Sequence, residues 1–151
     1  MKLFSKLLLL ISFTIFFIGC SDDKRTTIDS KLRICPQCNM PLPDSNIHTT
    51  DLAQNGDKTY FDDVGCMILW AKDQNIDLRK VKTRIYSNDS KKYIDPFKAY
   101  FAINERTPML YGFSAYEKPC DKCVNFDEVI MKMLRGEHMA NPKIRKQILG
   151  Y

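Results

Sequence analysis

Residues 47–75, IHTTDLAQNGDKTYFDDVGCMILWAKDQN, change from one hydrophobic periodicity to another halfway along. Ile47 to Leu52 and Lys58 to Phe61 read as short strands on either side of Gln54-Asn55-Gly56-Asp57. The tightest hairpin turns need positive φ at both central residues, which Asn-Gly tolerates best, so the pair marks a hairpin. Beyond it Val64, Met67, Ile68 and Ala71 recur at the three-to-four-residue spacing of a buried helical face. Asp62 or Asp63 can cap that helix, and it should end near Asn75.

Outward from this stretch the same order of elements returns. Val81 to Tyr86 reads as a further strand, Ala99 to Asn104 as another, with Met109 to Ser114 as its expected partner. Phe126 to Arg135 then has helical spacing and a stop at Gly136. The two halves suggest a repeated β-β-α arrangement, and Pro142 to Leu149 reads as a short amphipathic surface helix. Strands and helices in this mixture indicate an α+β domain.

The amino-terminal end is of another kind. Lys2 and Lys6 precede an apolar run from Leu7 to Ile18, followed by Gly19 and Cys20. The run falls short of the roughly 20 apolar residues that a spanning helix requires, so residues 1–19 read as a signal peptide. Phe17-Ile18-Gly19-Cys20 resembles a bacterial lipobox, with Phe17 where Leu is usual. That likeness implies processing before Cys20 and a lipid on its sulfur, which would hold the chain to a membrane, facing the periplasm. Residues 20–31 hold one apolar side chain after the cysteine, Ile28, and suit a flexible tether. The folded domain should span residues 32–151, with subunits near 32–90 and 91–140.

The 151-residue chain has a formal charge of +5, which drops by two when Lys2 and Lys6 leave. The remaining basic residues alternate with acidic ones, so no nucleic-acid partner is expected. Six cysteines are present. With Cys20 lipidated, Cys35, Cys38, Cys66, Cys120 and Cys123 remain, an odd set that leaves at least one thiol outside any disulfide framework.

The segment Cys35-Pro36-Gln37-Cys38-Asn39-Met40-Pro41 carries the most specific chemistry. Pro36 and Pro41 disfavour helix at the residues before them. An extended backbone there would put the Cys38 and Met40 sulfurs on one side. A thiolate beside a thioether is a soft pair suited to Cu(I), whereas zinc takes thiolate, imidazole and carboxylate. Three other readings of the cysteines stand beside this one. Cys35, Cys38, Cys120 and Cys123 can form a four-thiolate zinc site, Cys120 and Cys123 can form a second metal site or a disulfide, and Cys35 and Cys38 can form a redox pair. The redox pair is disfavoured because Pro41 and Pro43 oppose the helix such pairs begin. Cys66, Met67, Met131 and Met133 read mainly as core residues, with Cys66 a lesser candidate ligand. His48, His138 and Met139 are weaker candidates. Asp62 and Asp63 lack the histidine or serine company of an acid–base pair.

Taken together, the lipobox, Cys-Pro-x-Cys-x-Met, Tyr60 to Asp63 opening a helix, Ala99-Tyr100-Phe101 and Pro108-Met109 resemble the NosL family, lipoproteins that accompany nitrous oxide reductase. The resemblance runs from about Cys35 to Val129. It implies two small β-β-α-β units sharing a core, and a Cu(I) chaperone for that reductase rather than an enzyme. By position it assigns Cys38 and Met40, with Cys35 beside them, and the downstream Met109 to the metal. Asn39 stands where the family usually has Gly, and the Cys120/Cys123 pair lies outside the family pattern.

Overall fold

The computed structural model describes residues 33–150. The expected signal peptide, the expected lipidation of Cys20 and the expected tether lie outside the described residues.

Strand β1 (Thr50–Gln54) pairs antiparallel with β2 (Asp57–Phe61), with Thr50 opposite Phe61 and Gln54 opposite Asp57. Asn55 and Gly56 take φ of 53° and 91°, the two positive angles that the tight hairpin demands. Helix α1 (Val64–Asp73) follows β2 after two residues. Asp63 is its N-cap, accepting a hydrogen bond from the Gly65 amide at 3.0 Å. Strand β3 (Lys82–Tyr86) returns against β1, and the two-residue β4 (Tyr93–Ile94) pairs with β3. The sheet therefore runs β2-β1-β3-β4, antiparallel throughout.

A 3₁₀ turn at Pro96–Lys98 leads to a second sheet of β5 (Tyr100–Ala102) and β6 (Ser114–Tyr116). Helix α2 (Phe126–Arg135) is capped by Asn125, carries Asp127 and Glu128 in its first turn and Lys132 and Arg135 in its last, and stops at Gly136 with φ 73°. Those charges oppose the helix dipole at each end. Helix α3 (Pro142–Leu149) buries no residue. Among the described residues no helix is long and apolar enough to cross a membrane.

Both halves contribute to one core. Phe61, Val64, Met67 and Ile68 come from the first half, and Phe101, Phe126, Val129 and Met133 from the second. The Phe101 and Phe126 rings stack at 5.6 Å, and Phe97 meets Phe126 edge-on at 4.9 Å. The domain is thus α+β. The first half has the full β-β-α-β order, whereas α2 is followed by α3, so the second is β-β-α closed by a helix. Gly136 turns the chain left-handed, and Asn141 then caps a helix with Pro142 in its first turn, so no strand is started.

The expected strand over Met109 to Ser114 is corrected to Ser114–Tyr116. Leu110 and Gly112 both have positive φ (56° and 93°), which breaks an extended run. The loop they form brings Tyr111 onto α1 at Gly65. A Cβ on Gly65 would lie 2.7 Å from the Tyr111 Cγ and 2.8 Å from the Met133 Cε. Gly65→Ala should therefore lower stability by about 1–3 kcal/mol through overpacking, despite alanine's better helix propensity. Thermal unfolding would read this directly, and an unchanged or raised melting temperature would contradict such close packing.

Candidate metal centre

Three segments converge beside the start of α1. The loop from Ile34 to Pro41 closes on itself, with those two residues in an antiparallel bridge. Inside it the Cys35 amide donates to the Met40 carbonyl (2.8 Å) and the Asn39 amide to the Cys35 carbonyl (2.9 Å). Asn39 adopts φ 59°, so the extended backbone expected for Cys38 to Met40 is corrected to a tight knuckle. The prolines keep helix out, but the left-handed residue between them turns the chain, and side chains no longer alternate. Asp62 immediately follows β2, and Cys66 lies in the first turn of α1.

The Sγ atoms of Cys35, Cys38 and Cys66 and a carboxylate oxygen of Asp62 all lie within 4.8 Å of one another. Cys35 and Cys66 are fully buried, Asp62 is 2% exposed, and Cys38 is half-buried. The Cys38 thiol donates to both Asp62 oxygens at 3.4 and 3.3 Å. These four groups can hold a metal ion. With every thiol ionised the cluster would carry four negative charges in a largely buried place, a cost that only a cation or retained protons can offset. A Zn–S bond of about 2.3 Å puts tetrahedral sulfurs about 3.8 Å apart, so donors that all lie within 4.8 Å of one another would close on an ion by about an ångström at most.

The protons are unevenly held. Cys35 is brought down to about 6, first by the thiol hydrogen bond from Cys66 and then by the Asp62 and Cys38 amides, against the opposing effect of burial. Cys38 is pushed up to about 12 by burial, with the Cys35 and Asp62 side chains adding to the rise. Cys66 is pushed up by its bond to Cys35, by burial and by the neighbouring negative charges. The directions favour Cys35 as the group of the cluster that gives up its proton first and Cys38 and Cys66 as those that keep theirs.

The other sequence candidates are distributed as follows. Met40 is 47% exposed at the rim of the knuckle, and its amide donates to the Cys38 sulfur. Met109 is partly buried against the core, and its amide donates to Asp63 Oδ2 at 3.2 Å. Cys120 and Cys123 form a disulfide, which removes them from the four-thiolate zinc site considered with Cys35 and Cys38. Cys35 and Cys38 sit in a loop, not at a helix start. His48, with φ 68°, faces Ser114 at 3.4 Å, and His138 lies edge-on to Tyr111 at 5.0 Å, neither being in the cluster.

From sequence Asp62 reads only as a candidate helix cap, and Cys66 chiefly as core. The available signal was their spacing: four residues apart at a helix entry, with an odd thiol count. Asp63 is the cap, which leaves the carboxylate of Asp62 free to face Cys38. No protein-family model, no curated protein and no solved structure matches the chain.

Proposed function

We propose that this protein is a lipid-anchored, periplasm-facing Cu(I) carrier that serves the maturation of nitrous oxide reductase, as the NosL-like motifs imply. The observation that carries the metal reading is the convergence of three sulfur donors, Cys35, Cys38 and Cys66, within 4.8 Å. Thiolate sulfur binds Cu(I) and zinc alike, so the three sulfurs supply a soft site and the copper reading over zinc rests on the neighbouring thioethers of the motif set. The half-exposed Met40 thioether at the rim suits a first or last contact for an ion in transit, and Met109 is the second thioether of the same motif set. A ligand that binds without charge helps uptake and hand-over, since leaving it uncovers no buried charge. The client, the membrane and the absence of catalysis belong to the same proposal and rest on the motifs.

A second reading has one specific observation in its favour. Asp62 offers an oxygen to the same point in space, and a three-sulfur, one-oxygen set is a legitimate tetrahedral zinc site. The two readings part in a competition titration of the reduced protein against a chromogenic Cu(I) chelator and, separately, a zinc indicator. The carrier reading expects tight Cu(I), weak zinc and an apo form that stays folded; unfolding on chelation would select structural zinc.

Cu(I) affinity should also rise steeply with pH. Binding must displace the protons of Cys38 and Cys66, whose thiols are pushed up, while Cys35, whose thiol is pushed down, gives up its own more readily. Two protons released per ion correspond to about a hundredfold gain in affinity per pH unit around neutrality. The slope of the logarithm of the binding constant against pH measures this, and a flat profile would exclude a site built on those thiols.

A further inference from the structure

Cys120 and Cys123 are bonded across a surface turn, three positions apart in sequence and 5.3 Å apart at Cα. The loop they enclose is among the smallest a disulfide can close, and the stabilisation gained by a cross-link grows with the loop it closes. The ends of this loop are already fastened without it. On the entering side the Asp89 carboxylate accepts the amides of Glu117 (2.9 Å) and Lys118 (3.1 Å). On the leaving side Val124 and Phe101 exchange both of their backbone hydrogen bonds, at 2.8 and 2.9 Å. Neither cysteine belongs to the core: Cys120 is exposed and Cys123 partly so. The turn between them needs no cross-link either, since the Cys123 amide reaches the Cys120 carbonyl at 3.4 Å and Lys122 takes φ 59°.

The surroundings favour exchange of the bond. Lys118 lies in the bend before the turn and Lys122 within it, both exposed, with Asp121 as the acid between the cysteines. Cys123 stands two residues before Asn125, the N-cap of α2, in the irregular segment that enters the helix. Cys120, the more open sulfur, is the one an incoming group meets first.

We propose that Cys120–Cys123 is a redox-active disulfide that accepts two electrons from a Cys-x-x-Cys dithiol protein, independently of the metal cluster. A partner thiolate attacks the Cys120 sulfur, the bond to Cys123 breaks, and Cys123 leaves as a thiolate that takes up a proton. The second partner thiolate then attacks its own sulfur in the mixed disulfide and expels Cys120, which is protonated in turn. The partner ends as a disulfide, this chain as a dithiol, and two electrons and two protons have been transferred.

The test uses the purified full-length protein, oxidised at this pair, with a bacterial thioredoxin as the dithiol probe. Thiols are alkylated after acid quenching, and peptide mass spectrometry separates Cys120 and Cys123 from Cys35, Cys38 and Cys66. Stoichiometric reduction within minutes in native buffer, with circular dichroism and melting temperature unchanged, is the expected result. A probe lacking its resolving cysteine should be captured on Cys120. A pair that stays oxidised until denaturant is added, a melting temperature that falls on reduction, or capture at another cysteine would each overturn the proposal.

Discussion

Cys66→Ser is expected to weaken Cu(I) binding by at least about a hundredfold, more than the roughly 10- to 100-fold that removal of a group outside the ligand set costs. Cys66 is fully buried in the first turn of α1, and its sulfur is within 4.8 Å of those of Cys35 and Cys38. Serine keeps the size but offers a hard oxygen whose proton cannot be displaced near neutral pH. Two sulfurs and Asp62 would remain. Cys38→Ser should cost a similar amount, Met40→Leu less, and Met109→Leu least, because a thioether brings no charge to the ion. The fold should survive, since the change removes no large apolar group. The measurement is the chelator competition at fixed pH with folding checked by circular dichroism. Wild-type affinity in Cys66→Ser, together with loss in Met40→Leu and Met109→Leu, would return the ion to a site of Cys38 and the two methionines.

The Asn55-Gly56 hairpin, a cap at Asp62 or Asp63 and the Gly136 stop were legible because each depends on a local backbone demand met by one or two residues. Helix α2 over Phe126–Arg135 and helix α3 over Pro142–Leu149 follow the expected boundaries for the same reason. The knuckle from Cys35 to Pro41 was not legible. Its prolines exclude helix but do not choose between extension and a turn; that choice is made by the bridge between Ile34 and Pro41 and by Asn39 at φ 59°. The strand expected at Met109 failed on a longer-range cause. Thr107 and Met109 spend their donors on Asp63, 44 and 46 residues earlier, and no local pattern announces that. Asp62 and Cys66 joined the site for a third reason, the packing of the α1 entry against the knuckle, which only the assembled fold specifies.

Asp63→Ala should produce the largest loss of stability of any single polar substitution in this region, about 3 kcal/mol or more. The carboxylate is completely buried and accepts three hydrogen bonds: from the Gly65 amide at 3.0 Å, the Thr107 hydroxyl at 2.7 Å and the Met109 amide at 3.2 Å. Losing the N-cap bond costs about 1 kcal/mol, and stranding each of the other two donors costs about 1–3 kcal/mol. For a domain of this size that is a fall in melting temperature of roughly 10 °C. The burden should vary with pH in a definite sense. Burial pushes Asp63 up to about 6, the hydrogen bonds from Thr107, Gly65 and Met109 opposing it. The folded state therefore holds this proton more tightly than the unfolded chain, whose ordinary value is 3.8. The stability Asp63 contributes is then full below about pH 4 and declines as pH rises through 6. The wild type should exceed Asp63→Ala by most at pH 4 and by less at pH 7, as read from urea unfolding at the two values. A gap that widens from pH 4 to pH 7 would mean that the buried group is held as a carboxylate throughout. Because the same carboxylate ties the Thr107–Met109 loop to the head of α1, the variant should also loosen Met109, seen as faster amide exchange at that residue while the amides of β1 and β3 stay protected.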